Sequence, residues 1–459
     1  MSVFSLSNLK KTWYYLQKNG IRNAVWAVLE RIGQEQEVYT WQEPDEKTLS
    51  FQREHSASLR ISIVVPAYRT KKEHLEAMLN SVSRQSYPHW ELIVADAGGT
   101  AESVQAWAKK NGICLREAAD ASNLAEWKDQ SIVLSTLSEN KGISANTNAG
   151  IELAAGDAVG LLDHDDLLTA NALWEMADCL EKEKKRGKQK LVLFSDEDKC
   201  DGAASRFYEP NFKPDFDGEL LLTNNYICHF TVIETAFLKE LKLRSGFDGA
   251  QDYDLVLRAY AAGGQFVHVP KVLYHWRCHE ASTASNPQSK RYAYEAGQRA
   301  LEDYCLRKGW KATVSGLKHL GFYREDYEDS VFCQRPEIGI WAKPLPGGRD
   351  IFGIRHPKGF LVSGLYENDG SMRYAGLRKG YSGPMHRAAL QQSAPAADLR
   401  SMEVCSALKE RYAQTIAELK EACQGLPTAA QETKILQKSM EFCKEATAAG
   451  YGILWDPQA

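Results

Sequence analysis

Three carboxylates stand directly after an apolar run that is typical of a buried strand. The run covers 158–162, and Asp163, Asp165 and Asp166 follow it. Carboxylates this crowded repel one another unless a cation lies between them. Mg²⁺ and Mn²⁺ prefer such hard oxygen ligands and usually bind through one or two carboxylates together with substrate phosphates. The pattern predicts either a metal site or, as the simpler alternative, an acidic turn in which Asp166 caps the next helix.

The chain around this cluster alternates short apolar strands with amphipathic helices. Strands are predicted at 61–65, 91–95, 132–134, 158–162 and 191–194, and helices at 73–85, 102–111 and 148–155. Units of this size make right-handed crossovers, which gives a Rossmann-like α/β fold with a mostly parallel sheet and helices on both faces. Ligands bind at the carboxyl ends of such strands. Pro66, Asp96 and Asp163 all follow strands, so we expect them to meet at one nucleotide-binding edge.

Further candidates lie in the second half of the same region. The sequence Gln-Asp-Tyr-Asp at 251–254 opens an amphipathic helix, and two predicted strands around Pro270 lead to His275 and Arg277. An imidazole can ligate a metal, and a guanidinium offers a planar fork for phosphate oxygens. For His275 the alternative is a strand-end histidine with an ordinary structural partner. A second acidic stretch at 196–198 also ends a predicted strand and is either a capped turn or a contact to an acceptor.

The composition is that of an ordinary globular protein, since 44% of the 459 residues are hydrophobic and 25% are charged. This length suits two or three domains. The net charge of −4 gives no reason to expect nucleic-acid binding. None of the ten cysteines forms a Cys-x-x-Cys pair, which favours reduced thiols. No apolar run approaches the ~20 residues that span a bilayer, and no signal peptide is predicted, so we expect a cytoplasmic location.

Residues 1–57 are predicted to form a helical extension before the α/β domain. Aromatic and apolar residues share a helix face with lysines in 9–18, and 21–32 repeats the helical spacing. A basic amphipathic helix with tryptophan can lie on a membrane surface, which gives peripheral contact with the inner face of the plasma membrane as one interpretation. We favour the other, a helix packed on the next domain. Residues 41–57 are polar and charged, as in a linker.

The segment from Arg60 to Arg324 resembles a family 2 glycosyltransferase of the GT-A fold, of the type that builds bacterial O-antigens and rhamnose polymers. The resemblance rests on five blocks in the family's order. They are Val-Val-Pro-Ala-Tyr at 64–68, the stretch from Gln85 to Asp96, Asn-Lys-Gly-Ile-Ser-Ala-Asn-Thr-Asn at 140–148, Leu-Asp-His-Asp-Asp at 162–166 and Gln-Asp-Tyr-Asp at 251–254. Each block is weak alone, but the ordered set is specific. The domain predicted from it spans 58–330.

The resemblance implies an enzyme that moves a sugar from a nucleotide diphosphate sugar to a hydroxyl of a saccharide or lipid-linked saccharide, with inversion at the anomeric carbon. The implied general base, which takes the proton from the acceptor hydroxyl, is Asp252. The implied ligands of Mg²⁺ or Mn²⁺ are Asp163, Asp165 and His275. The implied donor-binding residues are Pro66, Ala67, Tyr68, Asp96, Asn146, Asp163 and Arg277.

Two positions depart from the family's pattern. Gln251 stands where many relatives carry an acid, which removes a charge beside Asp252 and leaves the base in place. Ala97 replaces the second aspartate that relatives usually carry after the second strand. We therefore expect a ribose contact to be lost while the nucleobase contact at Asp96 remains, and the identity of the nucleobase is left open.

Residues 335–459 are predicted to form a separate α/β region. Pairing Gly263 with Gly450 aligns similar alanine-rich segments and places Asp252 on Ser439. The region is therefore predicted to be a degenerate, partial second glycosyltransferase module without a base. The alternative is an unrelated α/β cap, because short repeats often arise by chance.

Two other classes of protein compete with the transferase interpretation. A non-catalytic sugar-nucleotide-binding subunit of a polysaccharide assembly complex would share the donor site, but the intact Asp163, Asp165 and Asp252 argue against it. A nucleotidyltransferase that makes the sugar nucleotide needs a glycine-rich loop after its first strand. The sequence Pro-Ala-Tyr-Arg at 66–69 lacks those glycines.

Overall fold

The computed structural model contains a large α/β domain followed by a smaller sheet. The described residues are 39–119, 127–278, 291–316, 321–328, 331–342, 364–365, 402–422, 438, 441–446 and 448–455. The helices predicted at 9–18 and 21–32 lie outside them. Within the described ranges, no helix has the length and apolar character needed to cross a membrane.

A ten-stranded sheet forms the centre of the described part of the first domain. Its strands are β1 (Ile61–Ala67), β2 (Trp90–Asp96), β3 (Cys114–Glu117), β4 (Ser131–Thr136), β5 (Ala158–Leu161), β6 (Leu167–Leu168), β7 (Leu191–Cys200), β8 (Phe207–Asn211), β9 (Thr231–Glu234) and β10 (Gln265–Arg277). Their spatial order is β3-β4-β2-β1-β5-β9-β7-β10-β6, and β8 pairs with β7. Strands β6, β8 and β9 run antiparallel to their neighbours, and the other pairs are parallel.

Helices cover both faces of this sheet. They are α1 (Glu46–Glu54), α2 (Lys72–Ser83), α3 (Ala101–Asn111), α4 (Ile143–Leu153), α5 (Ala172–Lys185), α6 (Gly218–Thr223), α7 (Thr235–Leu241), α8 (Gln251–Ala261) and α9 (Arg291–Lys308). Successive strand residues enter different cores, because Ile63 and Val65 belong to one apolar cluster and Val64 to another. Burial on both faces explains the continuous apolar runs of the strands and confirms the predicted α/β fold with a mostly parallel sheet.

Strands β7 and β10 are longer than the sequence predicted. The strand predicted at 191–194 continues to Cys200, because β8 and β10 both pair with its second half. The acidic stretch at 196–198 therefore lies inside β7, and the prediction that it ends the strand was wrong. Strand β10 runs through Pro270 with a register shift after Val269, where two separate strands had been predicted.

The charged stretch predicted to be a linker contains helix α1. The Asp45 side chain caps this helix by accepting a hydrogen bond from the Thr48 backbone N–H at 2.7 Å. Gln52 is buried, and its side-chain oxygen accepts a hydrogen bond from the Ser86 hydroxyl at 2.7 Å. The linker prediction was therefore wrong for 46–54, since this helix is anchored on the sheet domain.

A hairpin and a short helix lead into the C-terminal sheet. They are β11 (Ala312–Gly316), β12 (Tyr323–Tyr327) and α10 (Val331–Gln334). The described part of the second sheet has four strands, β13 (Ile338–Ala342), β14 (Gly364–Leu365), β15 (Met402–Val404) and β16 (Gly452–Trp455), and helices α11 (Ser406–Arg411) and α12 (Ala413–Ala422) lie between the last two. Strands β13 and β16 are parallel, whereas β14 and β15 run antiparallel to their neighbours.

Candidate active site

The acidic turn at 162–166 connects β5 to β6 and is tied to β10 by Asp166. The Tyr274 hydroxyl donates a hydrogen bond to Asp166 Oδ2 at 2.5 Å, and the Arg277 backbone N–H donates to Oδ1 at 2.7 Å. Asp166 therefore fixes the turn. It does not cap the next helix, so the simpler sequence interpretation was wrong on this point. Asp163 and Asp165 are partly exposed at the carboxyl end of β5.

The surroundings of the Asp163 carboxyl bring distant segments together. Loss of hydration raises the pKa of Asp163, the His229 imidazole opposes this shift, and the negative charges of Asp165 and Asp252 add to it. Asp252 lies in the first turn of α8. Contacts join this end of the helix to the acidic turn, because Asn225 donates a hydrogen bond to Asp252 and His229, four residues later, stacks on Tyr274, whose hydroxyl contacts the turn. The structure thus brings Asp163, Asp165 and Asp252 into one site.

Asp163 and Asp165 fit a divalent cation that takes its remaining ligands from the phosphates of a bound substrate. Among the described residues, no three His, Cys, Asp or Glu side chains are grouped as a complete metal site. Mg²⁺ often binds proteins through only one or two carboxylates and takes its other oxygens from phosphates and water. Asp163 and Asp165 offer these carboxylate oxygens at the carboxyl ends of the strands, where ligands of parallel sheets bind. A cation here stays a prediction, with these two residues as its ligands.

His275, the third predicted ligand, has other contacts. Its Nδ1 hydrogen-bonds Asp198 Oδ1 at 2.5 Å, and its ring packs against Trp41 at 5.0 Å and Phe207 at 4.3 Å. Its Nε2 is buried and has no hydrogen-bond partner in the described chain. The role of His275 as a ligand stays a prediction without structural support.

Arg277 holds the acidic turn with part of its guanidinium group. Its Nε donates to the Asp165 carbonyl at 2.5 Å, and its Nη1 donates to the Gly202 carbonyl at 2.7 Å. Its Nη2 is buried and has no partner among the residues described. Two of the three nitrogens therefore position the turn and the β7–β8 connection. The remaining nitrogen is the one left for the predicted contact with a phosphate.

The end of β1 forms the opposite part of the edge. Pro66 and Ala67 are its last residues, and Ala67 pairs with Asp96 at the end of β2. Tyr68 follows, with 39% of its surface exposed and the Arg69 guanidinium 5.1 Å from its ring centre. An exposed aromatic ring at the carboxyl edge of a parallel sheet suits stacking against a nucleobase. This arrangement agrees with the predicted donor-binding role of 66–68, which stays a prediction.

Asp96 and Asn146, two further predicted donor contacts, are buried and fix loops. The Asp96 carboxylate accepts three backbone hydrogen bonds from the loop at 98–101, at 2.8–3.1 Å. The Asn146 side-chain amide donates to Asn140 Oδ1 at 2.8 Å. Both residues therefore shape the walls of the site, and their direct contacts with a donor stay predictions.

Asp252, the predicted base, has one oxygen bound and one open. The helix dipole favours a negative charge in the first turn of α8. Its Oδ2 accepts a hydrogen bond from Asn225 Nδ2 at 3.0 Å, and no described residue donates to its Oδ1. The Gln251 side chain is directed elsewhere, because its Oε1 accepts from the Gly249 backbone N–H at 2.8 Å. An open carboxylate oxygen beside the acidic turn suits a proton acceptor.

Comparison with known proteins identifies the domain that carries this site. Residues 62–241 match the model of the family described as glycosyl transferase family 2. The chain carries a family 2 glycosyltransferase domain. The match includes the acidic turn and ends before Asp252, so the predicted base lies outside the residues that the family model covers.

Two curated relatives of the glycosyltransferase match more than half of the chain. The protein y4gI of Sinorhizobium fredii is 36% identical over 255 residues, which are 55% of this chain and 26% of that protein. The O-antigen biosynthesis protein RfbC of Myxococcus xanthus is 34% identical over 256 residues, which are 56% of this chain and 19% of that protein. The chain thus spans about a quarter and about a fifth of their lengths. Among solved structures, S. aureus TarS in complex with UDP-GlcNAc aligns with a TM-score of 0.40 and 20% identity, over 54% of this chain and 67% of that one.

The candidate site contains two residues that the sequence did not reveal, Asn225 and His229. Both lie between α6 and β9. His229 is partly exposed, its ring stacks on Tyr274 at 4.9 Å, and its backbone N–H donates a hydrogen bond to the Glu197 carboxylate. No motif marks these two residues, because each contacts a segment far away in the sequence. The only signal is a pair of polar side chains within an apolar stretch.

The second acidic stretch has structural partners. Asp196 Oδ1 accepts a hydrogen bond from His268 Nε2 at 2.8 Å, and Asp198 Oδ2 accepts from the Tyr39 hydroxyl at 2.7 Å. These contacts tie β7 to β10 and to the segment before α1. They favour a structural role for 196–198 in the glycosyltransferase domain over a contact to the acceptor.

Proposed function

We propose that this protein is a metal-assisted, inverting glycosyltransferase that moves a sugar from a nucleotide diphosphate sugar to a hydroxyl of a saccharide acceptor. The observation that carries the proposal is the series of contacts that joins Asp252 to the acidic turn. Asn225 donates a hydrogen bond to Asp252, His229 of the same segment stacks on Tyr274, and the Tyr274 hydroxyl donates to Asp166 of the turn. This series joins two carboxylate sites of different character. The pair Asp163 and Asp165 suits a cation and phosphates, whereas Asp252 has an oxygen open to a hydroxyl proton.

Each carboxylate has its own task in the proposed reaction. Asp163 and Asp165 hold the cation, which when bound supplies positive charge against the departing diphosphate. Asp252 Oδ1 takes the proton of the acceptor hydroxyl while the hydroxyl oxygen attacks the anomeric carbon. The bond between that carbon and the phosphate oxygen breaks on the opposite side, so the configuration of the sugar is inverted.

The proposed donor lies along the carboxyl edge from β2 to the acidic turn. Tyr68 stacks on the nucleobase, the backbone of Pro66 and Ala67 lines the nucleotide, and Arg277 Nη2 contacts a phosphate oxygen. The exposure of the Tyr68 ring and the unpaired Nη2 support these roles. A guanidinium suits a phosphate because its hydrogen bonds to an anion are charge-assisted, and here Nη2 can donate to one phosphate oxygen.

We propose a cell-envelope saccharide, carried on a lipid, as the acceptor. The similarity to RfbC, whose name places it in O-antigen biosynthesis, supports a saccharide of this class. A lipid-linked acceptor is presented at a membrane. Peripheral contact with the inner face of the plasma membrane is therefore part of the proposal, as is a cytoplasmic location.

A donor screen tests the proposal. UDP-, GDP- and dTDP-sugars are added to the protein with Mg²⁺, with Mn²⁺ or with EDTA, and both the melting temperature and the release of nucleoside diphosphate are measured. A ligand at 100 times its Kd stabilises the folded state by about 2.7 kcal/mol. We expect at least one donor to stabilise the protein and to turn over only with metal.

Two results of the screen would favour the competing classes. Stabilisation without any release of nucleoside diphosphate, also when acceptor oligosaccharides are present, would indicate a non-catalytic binding subunit. Formation of a sugar nucleotide from a nucleoside triphosphate and a sugar phosphate would indicate a nucleotidyltransferase.

We also infer that residues 335–459 are a degenerate, partial second module. In the C-terminal sheet, β13 pairs with the parallel strand β16 and with the antiparallel strand β15. In the first sheet, β7 pairs in the same way with the parallel strand β10 and the antiparallel strand β9. Gly450 (φ 88°) precedes β16 as Gly263 (φ 78°) precedes β10. Ser439, at the position of the base, lies outside the described residues. A purified 335–459 fragment should release no nucleoside diphosphate from a donor that the full chain turns over, and turnover by the fragment would contradict this inference.

A further inference from the structure

The two oxygens of the proposed base have different surroundings. Asp252 Oδ2 accepts a hydrogen bond from Asn225 Nδ2 at 3.0 Å, whereas Oδ1 has no partner in the part of the chain that the structure describes. Both side chains are partly exposed. The Asn225 amide is thus the one described group that holds the carboxylate by a hydrogen bond.

Both neighbours of Asn225 in the chain are anchored. The Asn224 backbone N–H donates to the Leu220 carbonyl at 3.2 Å, at the end of α6. On the other side, the Tyr226 hydroxyl accepts from the Asp217 backbone N–H at 2.8 Å. Tyr226 is 3% exposed, and Asn224 is 8% exposed. The amide of Asn225 therefore stands on a fixed support and presents its N–H in a set direction.

We propose that Asn225 is a positioning residue of the transfer reaction, whose amide holds Asp252 so that Oδ1 meets the acceptor hydroxyl. This inference rests on the proposed function and assigns a role within the same site. A hydrogen bond to a charged acceptor is stronger than one between neutral groups. The hydrogen bond from Asn225 fixes the rotation of the Asp252 carboxylate. Because Oδ2 already accepts this bond, the proton of the acceptor goes to Oδ1.

The proton and electron balance of the step is simple. The acceptor oxygen forms a bond to the anomeric carbon and gives its proton to Asp252 Oδ1. The bond from that carbon to the phosphate oxygen breaks, and its electron pair leaves with the nucleoside diphosphate. Asp252 later returns the proton to water. The Asn225 amide keeps both of its protons throughout, so it positions the base without taking part in the proton transfer.

Three other titratable groups face Asp252 from the elements packed around it. They are the Asp163 carboxyl of the acidic turn, the Cys228 thiol before β9 and the Tyr323 hydroxyl of β12. Burial raises the pKa of each of these groups, and the charge of Asp252 raises it further. The thiol and the phenol therefore stay neutral near pH 7. A shift in the pH profile after a change at Asn225 is thus read through the carboxylates of the site and the His229 imidazole beside Asp163.

The test compares three variants, Asn225→Ala, Asn225→Asp and the control Asn111→Ala, which removes an exposed asparagine at the end of α3. The readouts are kcat and KM over a range of pH, from the release of nucleoside diphosphate with water as the acceptor and with the donor found in the screen above. Asn225→Ala should lower kcat about 10- to 100-fold, the usual effect of losing a hydrogen bond to a charged group. The donor KM and the control should be unchanged.

Asn225→Asp tests the inference through the pH profile of kcat/KM, which should not change if Asn225 had only a structural role. It places a second carboxylate within hydrogen-bond distance of the base, and like charges this close disfavour ionisation. The acidic limb of the kcat/KM profile should therefore move to higher pH by about one unit or more. A profile with the wild-type acidic limb would overturn the inference.

A double-variant cycle separates positioning from general damage to the fold. When Asp252 is already replaced in Asp252→Asn, the further change Asn225→Ala should cause no additional loss, because there is no base left to position. An equal additional loss in that background would overturn the inference and leave the proposed function intact. Full activity of Asp252→Asn, or no turnover of any donor by the wild-type protein, would overturn both.

Discussion

Two parts of the chain share a strand arrangement and differ in their chemistry. In the glycosyltransferase domain, the parallel strands β7 and β10 start in register at Leu191 and Gln265. In the C-terminal sheet, β13 and β16 start in register at Ile338 and Gly452. In both parts, an antiparallel strand that leads into a short helix, β9 or β15, pairs with the first of the two parallel strands. A glycine with a positive φ, Gly263 or Gly450, precedes the second parallel strand.

The difference lies in the side chains at the site edge. In the glycosyltransferase domain, Asp252 opens helix α8, and the segment before β9 brings Asn225 and His229 to it and to the acidic turn. In the C-terminal region the aligned position is Ser439. Backbone pattern and apolar spacing are enough to form the strand arrangement, whereas the proposed chemistry depends on a few positions. The fold alone therefore does not give the activity.

The largest expected effect comes from removing a negative charge from the acidic turn. Asp163→Asn or Asp165→Asn keeps the shape of the side chain and removes the charge that attracts a cation. We expect kcat to fall at least about 10²–10³-fold, the usual result of losing one group that stabilises developing charge. Nucleoside diphosphate release measures the loss, and EDTA should reproduce it in the wild-type protein.

The matched control is Asp178→Asn, which removes a partly exposed carboxylate paired with Lys182 on α5. It should leave kcat unchanged, because such surface pairs contribute only about 0–1 kcal/mol to stability and lie outside the site. Full activity of Asp163→Asn and Asp165→Asn, or of the wild-type protein in EDTA, would contradict the proposed metal-assisted reaction.

A smaller effect is expected at the contact that joins the two parts. Arg335 donates two hydrogen bonds to the Glu219 carboxylate of α6, at 2.5 and 2.6 Å, and lies 4.7 Å from the ring centre of Trp310. Both charged side chains are buried. Arg335→Met would leave the Glu219 charge buried without its partner, so the free energy of unfolding should fall by about 3–5 kcal/mol in denaturant unfolding.

Two further variants control this measurement. Adding Glu219→Gln to Arg335→Met should restore most of the stability, because no buried charge is left unpaired. Lys182→Met, which breaks the exposed pair with Asp178, should change the free energy by only about 0–1 kcal/mol. If Arg335→Met costs no more than Lys182→Met, the buried pair contributes little to the stability of the chain.

A further expected effect is a pH dependence of stability at the same junction. Burial raises the pKa of Glu325 to about 8, and the nearby negative charge of Glu219 contributes to the rise. The folded protein therefore binds this proton more tightly than the unfolded chain does. Its contribution to stability is present at acidic pH and is lost as the pH rises through about 8.

Glu325→Gln, which mimics the protonated side chain, isolates this contribution. The melting temperature of the wild-type protein should match that of the variant near pH 5 and fall below it near pH 9. Thermal unfolding at both pH values measures the difference. Parallel behaviour of the two proteins across this range would contradict the raised pKa.

The sheet and the acidic turn could be predicted because their signals are local. Strands β1 and β2 are continuous apolar runs, and the turn at 162–166 follows such a run directly. The full length of β7 could not be predicted, because its second half is polar and becomes a strand only through pairing with β8 and β10. Helix α1 was missed for a similar reason, since a buried polar residue, Gln52, anchors it.

The candidate site could be predicted only in part. Asp163, Asp165 and Asp252 stand in recognisable sequence blocks, and the structure brings them together. The hydrogen bond from Asn225 joins segments that no spacing rule connects. The predicted grouping of His275 with the acidic turn rested on sequence order, which does not reveal that this ring contacts Asp198 and two aromatic side chains instead.

The most direct test of the central claim is Asp252→Asn, measured in two ways. The asparagine keeps the shape of the side chain and cannot accept the proton, so kcat should fall by about 10²–10⁴-fold. The Kd of the donor, measured by calorimetry, should not change, because the base faces the acceptor hydroxyl and not the diphosphate. Turnover at the wild-type rate would mean that Asp252 is not the base. Loss of donor binding would instead place Asp252 in the donor site and contradict the division of roles proposed for the three aspartates.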